Sequence, residues 1–170
     1  KILNKYPNWK AKIIGDEKRE KINIRHKNAN LLGFLDHEKV LQIFKRSSIA
    51  VACSRWEEPF GRTSLEASAN GCAVIITAKG GLPETVTDAK IMSNLNVKSL
   101  TKHIQELIDN PKLRKKLKTL FIKNFYLTHK FVTKMIDDYR SEKLSYRKKF
   151  FTKKNKEKLR ILHVTNFNER

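Results

Sequence analysis

Short apolar runs alternate with amphipathic stretches over the first 90 residues of the chain. Runs of strand length occur at residues 11–15, 30–34, 49–53 and 73–77, and the last two are almost entirely apolar. A continuous apolar run, rather than an alternating one, is typical of a strand that is covered on both faces. Helix-length stretches follow these strands. The sequence therefore predicts a Rossmann-like α/β fold with a doubly wound parallel sheet.

Beyond residue 90 the pattern predicts helices. Apolar residues recur at helical spacing over residues 100–108, 113–125 and 131–139, and such stripes are typical of helix faces that pack against a core. Asn110 and Pro111 separate the first two stretches, because a proline at that place suits the first turn of a new helix. We interpret the aromatic side chains of these stripes as packing residues, and not as cofactor ligands.

Composition places the chain among soluble globular proteins. Of its 170 residues, 39% are hydrophobic, which suits one domain with a core of its own. No apolar run approaches the roughly 18 residues that a membrane-spanning helix needs. The first residues also lack the apolar region of a signal peptide, so we expect a cytoplasmic location, with peripheral contact at the inner face of an anionic membrane as an option. Cys53 and Cys72 show no metal-ligand spacing, and we predict buried free thiols.

The net charge of +20 is concentrated in the second part of the chain. Residues 101–170 carry 20 basic and 7 acidic side chains. Such an excess attracts nucleic acid, anionic lipid head groups and phosphorylated small molecules alike, although solvated lysine-rich helix faces are the favoured explanation. Residues 143–158 are predicted to form a basic linker. Residues 159–170 have the pattern of a strand and a polar turn, and a returning terminal strand or a disordered tail remain alternatives.

Candidate chemistry lies at two turns that follow buried strands. The segment 57–61 (Glu-Glu-Pro-Phe-Gly) leads into a helix, and Gly80 and Gly81 precede another. The free backbone N–H groups at a helix start suit phosphate, and the carboxylates Glu58 and Glu66 suit hydroxyl groups. A nucleotide sugar has this layout, with a diphosphate between two groups of hydroxyls. An ordinary exposed loop before a helix is the alternative.

Several segments in this order resemble one known family. The segments 55–61 (RWEEPFG), 71–75 (GCAVI) and 80–84 (GGLPE), with Glu58 and Glu66 at E-x7-E spacing, resemble the C-terminal donor-binding domain of retaining GT-B glycosyltransferases of the group 1, or GT4, family. The resemblance implies that residues 1–142 form the nucleotide-sugar-binding C-terminal half of a GT-B fold that lacks its first strand. Residues 159–170 resemble the first strand of a following GT-B N-terminal domain.

The resemblance also implies roles for single residues. Glu58 would be the catalytic residue near the donor sugar hydroxyls, and Glu66 would bind the ribose hydroxyls. The further donor-binding residues that it implies are Phe60, Gly61 and Arg62 beside the sugar and phosphate, Gly80 and Gly81 near the diphosphate, and Glu84 at its helix start, with Gly33–Leu35 flanking the base.

By the same resemblance the reaction is transfer of a sugar from a nucleotide-diphosphate sugar to a glycan or glycolipid acceptor, in polysaccharide biosynthesis. No metal and no cofactor are expected. The Arg/Lys phosphate clamp and the N-terminal acceptor domain of the family are not visible in these 170 residues, so we expect this fragment alone to be inactive. The alternatives are a basic module that binds anionic membrane or nucleic acid, and a related GT-B phosphorylase or epimerase; hydrolysis by two carboxylates is disfavoured.

Overall fold

The computed structural model of the protein describes residues 1–15 and 23–151. The chain divides into two compact units, residues 1–126 and 127–170. The described elements of the first unit are α1 (Ile2–Lys5), β1 (Ala11–Ile13), β2 (Ala29–Leu31), α2 (His37–Lys45), β3 (Ile49–Ala52), α3 (Arg62–Ala69), β4 (Ala73–Thr77), α4 (Leu82–Thr85), β5 (Lys90–Met92), α5 (Val97–Asp109) and α6 (Pro111–Asn124). The second unit contains α7 (His129–Phe151).

All of the described strands pair in parallel. β1 pairs with β2, and β3, β4 and β5 form a three-stranded sheet in that order. Parallel sheets flanked by helices confirm the predicted Rossmann-like α/β class. The described strands form two sheets and not one continuous sheet, because neither β1 nor β2 pairs with β3, β4 or β5. The carboxyl ends of β3 and β4 lead directly into the two turns of interest.

β4 is the centre of the three-stranded sheet, and all five of its residues are buried. Its side chains alternate between two separate apolar clusters. Val74 and Ile76 face a cluster that includes Ala67 of α3 and Phe121 of α6, whereas Ile75 faces a cluster that includes residues of β5 and α5. Burial on both faces explains why the sequence of β4 is apolar without alternation.

Besides the division into two sheets, further features differ from the sequence-based predictions. The apolar stripe at residues 131–139, which we predicted to pack against a core, is exposed. β5 was not predicted, because a strand of only three residues gives too short an apolar run for a pattern to register. α1 was also not predicted, because a helix of four residues is too short to show a helical repeat of apolar positions. α7 continues through Phe151. Residues 143–151, which we predicted as the start of a basic linker, are therefore helical. The helix continues because the sequence from 129 to 151 contains no glycine or proline that would end it. The strand predicted at 159–170 lies outside the described residues.

Both cysteines are free thiols, as predicted, but only Cys72 is buried, and Cys53 is partly exposed. Cys72 is buried at 1% exposure beneath α2, and its Sγ donates hydrogen bonds to the carbonyls of Phe44 at 3.3 Å and Ser47 at 3.4 Å. Burial raises the pKa of the Cys72 thiol to about 11, although the nearby Lys118 opposes this shift. Burial also raises the pKa of Cys53. Neither thiol is activated as a nucleophile.

Candidate functional site

The turn after β3 ends at Gly61, which adopts the left-handed conformation (φ 80°) immediately before α3. The Gly61 carbonyl accepts hydrogen bonds from the Ser64 hydroxyl at 2.6 Å and from the Ser64 and Leu65 amides at 3.1 and 3.2 Å. In the described part of the chain, no acceptor contacts the amides of Arg62 and Thr63. α3 therefore begins with open N–H groups, at the end of the helix that favours an anion.

Glu66, one turn further along α3, is held by two side chains. Arg62 Nε lies 2.6 Å and His37 Nε2 lies 2.9 Å from the same oxygen, Oε1. Among residues 1–15 and 23–151, no hydrogen bond engages Oε2. Partial burial by itself would raise the pKa of Glu66, but the hydrogen bonds from Arg62 and His37 outweigh it and lower this pKa. Glu66 is thus an ionised carboxylate with one oxygen fixed and the other available.

Glu58 and Phe60 occupy the turn itself. Glu58 is half-buried, and its backbone carbonyl accepts a hydrogen bond from the Gly81 amide at 2.7 Å. Its carboxylate has no hydrogen bond or ion pair with any residue that the structure describes. Phe60 leaves 48% of its surface exposed. Both side chains are therefore available to a ligand.

The second turn, at Gly80 and Gly81, is closed by the protein itself. The Gly80 amide donates to Glu57 Oε2 at 2.6 Å, and Lys79 Nζ lies 3.0 Å from Glu57 Oε1. The hydrogen bond from Lys79 and then that from Gly80 lower the pKa of Glu57. Because the Gly81 amide also has a partner in Glu58, the two amides that we expected to face a diphosphate both donate within the protein.

Glu84, the last of the predicted residues, is exposed in the first turn of α4. Its position agrees with an acid that opposes the positive end of a helix. The structure brings four of the predicted residues into direct contact, as two pairs. Arg62 pairs with Glu66, and the backbone of Glu58 binds that of Gly81.

Sequence reasoning missed three residues that organise this site. His37 contacts Glu66 across 29 positions, and Glu57 contacts Lys79 across 22. The Thr77 hydroxyl accepts from the Ser54 amide and donates to the Ser54 carbonyl, both at 2.9 Å, and so fixes the start of the turn to β4. Of these three, only Glu57 could have been identified from the sequence, because it is an acid beside a tight turn. Contacts at such separations cannot be inferred from spacing along one chain.

A cavity of about 220 Å³ opens at the carboxyl ends of β3, β4 and β5, beside the turns. Arg55 and Lys79 make its lining positive. Among the described residues, no cluster of three or more His, Cys, Asp and Glu side chains is placed to hold a metal ion. No helix within the same residues is long and apolar enough to cross a membrane. The full lining of the cavity is Ser54, Arg55, Thr77, Ala78, Lys79, Met92, Ser93 and Leu95.

Comparison with known proteins gives consistent matches. Residues 1–120 match the sequence model of the family described as glycosyl transferases group 1. Spore coat protein SA of Bacillus subtilis is 27% identical over 94 residues, which are 53% of this chain and 25% of that protein. Glycogen synthase of Mycobacterium tuberculosis is 32% identical over 83 residues, which are 47% of this chain and 20% of that protein. The matched region thus spans a quarter or less of these relatives.

Two solved structures share the fold. Sucrose-phosphate synthase from Thermosynechococcus elongatus matches with a TM-score of 0.57 at 24% identity, over 69% of this chain and 31% of that one. Anabaena HepE, solved in complex with UDP and glucose, matches with a TM-score of 0.57 at 18% identity, over 85% of this chain and 44% of that one. These similarities establish the α/β architecture beyond the family match.

Proposed function

The chain belongs to the glycosyl transferases group 1 family, and we propose that it supplies the donor-binding half of a retaining glycosyltransferase. It would bind a nucleotide-diphosphate sugar, whose sugar moves to a glycan or glycolipid acceptor. One observation carries this proposal: Glu66 is fixed through Oε1 and open at Oε2, directly beside the open amides that begin α3. A ribose needs an oxygen that accepts hydrogen bonds from its hydroxyls, and its diphosphate needs an anion site nearby.

The roles of the single residues follow this arrangement. Glu66 Oε2 accepts hydrogen bonds from the ribose hydroxyls, and the amides of Arg62 and Thr63 face the diphosphate. Glu58, whose carboxylate is unengaged among the described residues, meets the donor sugar, and Phe60 lies beside it. The amides also stabilise the charge that develops on the leaving diphosphate while the acceptor hydroxyl attacks on the same face.

The electrostatics of Glu66 argue against its acting as the general acid in hydrolysis by paired carboxylates. A glycosidase needs one carboxylic acid with a raised pKa to protonate the leaving group. The pKa of Glu66 is lowered instead, with Arg62 and His37 donating to it. Glu66 therefore suits the acceptance of hydrogen bonds and not the donation of a proton.

The test is calorimetry of UDP, GDP and ADP sugars with the wild-type chain and with Glu66→Ala. Loss of the hydrogen bonds to ribose should cost about 1 to 3 kcal/mol, or roughly 5- to 150-fold in affinity. Glu38→Ala, an exposed acid on α2, is the matched control and should bind as the wild type does. Donor binding that Glu66→Ala leaves unchanged would remove the ribose role. The absence of binding to all three donors would contradict the donor-binding function itself.

We further expect the 170 residues alone to transfer little sugar. The region matched to the curated relatives is a quarter of their length or less, and a sugar acceptor needs its own binding surface. A coupled assay for release of the nucleoside diphosphate should therefore show slow turnover with glycan and glycolipid acceptors, even where calorimetry shows donor binding. Rapid turnover by this chain would show that it needs no further surface.

A second candidate function rests on α7. Along this helix the exposed side chains of Val132, Met135, Ile136 and Tyr139 follow helical spacing, with basic residues among them. Lys143 Nζ lies 5.2 Å from the centre of the Tyr139 ring. The side chains described on this helix include the acids Asp137, Asp138 and Glu142 beside the basic Lys130, Lys134, Arg140 and Lys143. Binding to an anionic membrane would therefore depend mainly on the apolar stripe, helped by a small positive excess.

Vesicle sedimentation tests this second function. Vesicles that contain phosphatidylglycerol should retain the chain in low salt, and vesicles of phosphatidylcholine alone should not. Ile136→Asp should abolish retention, whereas Val97→Asp, at an exposed apolar residue of α5, should not. If Ile136→Asp were retained on vesicles as the wild type is, and if DNA retained both equally well, binding would be due to charge attraction without a role for the apolar stripe.

A further inference from the structure

We propose that His37, the first residue of α2, is a positioning residue that aims Glu66 at the ribose of the donor. The inference deepens the proposed function and rests on it. His37 lies outside the segments that carry the family resemblance, and its role comes from the geometry of its contact with Glu66.

The contact is asymmetric in a way that serves a ligand. Arg62 Nε and His37 Nε2 both approach Oε1 of Glu66, at 2.6 and 2.9 Å. Each carboxylate oxygen offers two lone pairs, so two donors occupy the acceptor sites of Oε1. Because the described residues place no donor on Oε2, that oxygen keeps its sites for the two neighbouring hydroxyls of a ribose. The two bonds at Oε1 also fix the plane of the carboxylate.

Arg62 alone would position Glu66 less firmly. It lies four residues away on the same helix, and its side chain is 73% exposed. A long exposed side chain loses much conformational entropy when it is held in one place, so such a pair is weak. His37 approaches from a different element, with a short, planar side chain. Its bond to Glu66 ties the start of α2 to α3.

Among the described residues, the surroundings of His37 leave Glu66 as its side-chain hydrogen-bond partner. The other charged residues at the start of α2 are Asp36, Glu38 and Lys39, and Asp36 pairs with Lys39 at 3.0 Å. From α3, the helix that packs on α2, the charged groups at this contact are Arg62 and Glu66. The His37 side chain is 51% exposed, so its replacement removes this contact without opening the core.

Three variants test the proposal, with UDP, GDP and ADP as probes in calorimetry. His37→Ala should weaken binding of the nucleoside diphosphate roughly 3- to 10-fold, through loss of one hydrogen bond to a carboxylate. His37→Gln should restore most of the affinity, because its amide can donate to Oε1. His37→Glu should weaken binding at least as much as His37→Ala, since it sets two carboxylates against each other.

A ligand without ribose hydroxyls separates positioning from a general structural effect. With the 2′,3′-dideoxy form of the tightest-binding probe, His37→Ala and the wild type should bind equally. A loss of the same size for both ligands would overturn the proposal, as would a His37→Ala affinity equal to that of the wild type. Lys39→Gln, two residues from His37 and outside the site, is the matched control, and thermal unfolding of each variant checks that the fold is intact.

The outcomes for Glu66→Ala distinguish this inference from the proposed function. If Glu66→Ala loses affinity and His37→Ala does not, the role of His37 fails while the donor site stands. If Glu66→Ala binds every probe as the wild type does, the ribose role fails, and the role of His37 fails with it.

Discussion

The turns at Gly61 and at Gly80–Gly81 follow neighbouring parallel strands and each leads into a helix, but the structure uses their glycines differently. At Gly61 the left-handed backbone starts α3 and leaves the amides of Arg62 and Thr63 open. At Gly80 and Gly81 both amides are engaged by the segment 57–58. The first turn therefore leaves backbone hydrogen-bond donors open, whereas the second uses its amides to pack against the segment 57–58 of the first turn.

The space around the glycines shows the same difference. A Cβ atom on Gly80 would lie 2.2 Å from the Glu58 carbonyl oxygen, and one on Gly81 would lie 2.7 Å from that of Pro59. A Cβ atom on Gly61 would meet the end of the Leu82 side chain at 2.5 Å. Glycine is needed at the second turn so that two backbones can touch, and at the first turn mainly because of its conformation. Glycine is thus required at the two turns for two different physical reasons.

The largest expected effect is that of Gly80→Ala. The new methyl group collides with backbone atoms of Glu57 and Glu58, and the backbone is left-handed (φ 51°), so we expect a loss of about 2 to 5 kcal/mol in the free energy of unfolding. Urea unfolding measures it. Gly33→Ala is the control, because Gly33 has a similar φ of 63° with open space around it. Equal losses for the two variants would show that the close approach of the loops contributes nothing.

Gly61→Ala should have a smaller effect on stability and a specific effect on binding. The left-handed strain and the displacement of buried Leu82 cost about 1 to 3 kcal/mol. Calorimetry should show a loss of nucleoside diphosphate affinity, because the start of α3 moves. Gly71→Ala, whose methyl group meets only the flexible Lys118 side chain, should keep that affinity. If Gly80→Ala impaired binding more than Gly61→Ala at equal stability, the assignment of the two turns would have to be exchanged.

The smallest expected effect is that of Glu57→Gln, and it depends on pH. The folded state lowers the pKa of Glu57 from 4.5, so the ionised group stabilises the fold above about that pH, and the contribution is lost as the pH falls through the lowered value. The variant should therefore lack a small part of the acid-induced decrease in melting temperature. Glu38→Gln should retain it. Identical pH profiles of the wild type and Glu57→Gln would show that the contacts with Lys79 and Gly80 are too exposed to matter.

The architecture was more predictable from the sequence than the details of the site. The apolar residues of β4 predict burial on both faces, and Pro111 marks the start of α6. These features depend on neighbours along the chain, which a pattern contains. The contact of His37 with Glu66 and that of Thr77 with Ser54 join elements that are distant in sequence. Their donors and acceptors meet only after the sheets and helices have packed.

The engagement of the Gly80 and Gly81 amides was unpredictable for a related reason. A glycine pair before a helix indicates either an anion site or a close backbone approach, and the sequence does not say which partner arrives. In the structure Glu57 and Glu58 are those partners. The predicted contact of this pair with a diphosphate therefore stays a prediction, and one that requires these hydrogen bonds to be exchanged.

The buried thiol of Cys72 gives the protein an internal reporter of its own unfolding. Burial raises its pKa to about 11, so the thiol is almost entirely protonated at neutral pH, and burial excludes reagents as well. Alkylation of Cys72 with iodoacetamide should therefore proceed only when the segment before β4 separates from α2, and peptide mass spectrometry distinguishes it from labelling of the partly exposed Cys53. The rate at which Cys72 is labelled would measure how often the centre of the sheet opens under native conditions, without any substitution or added dye.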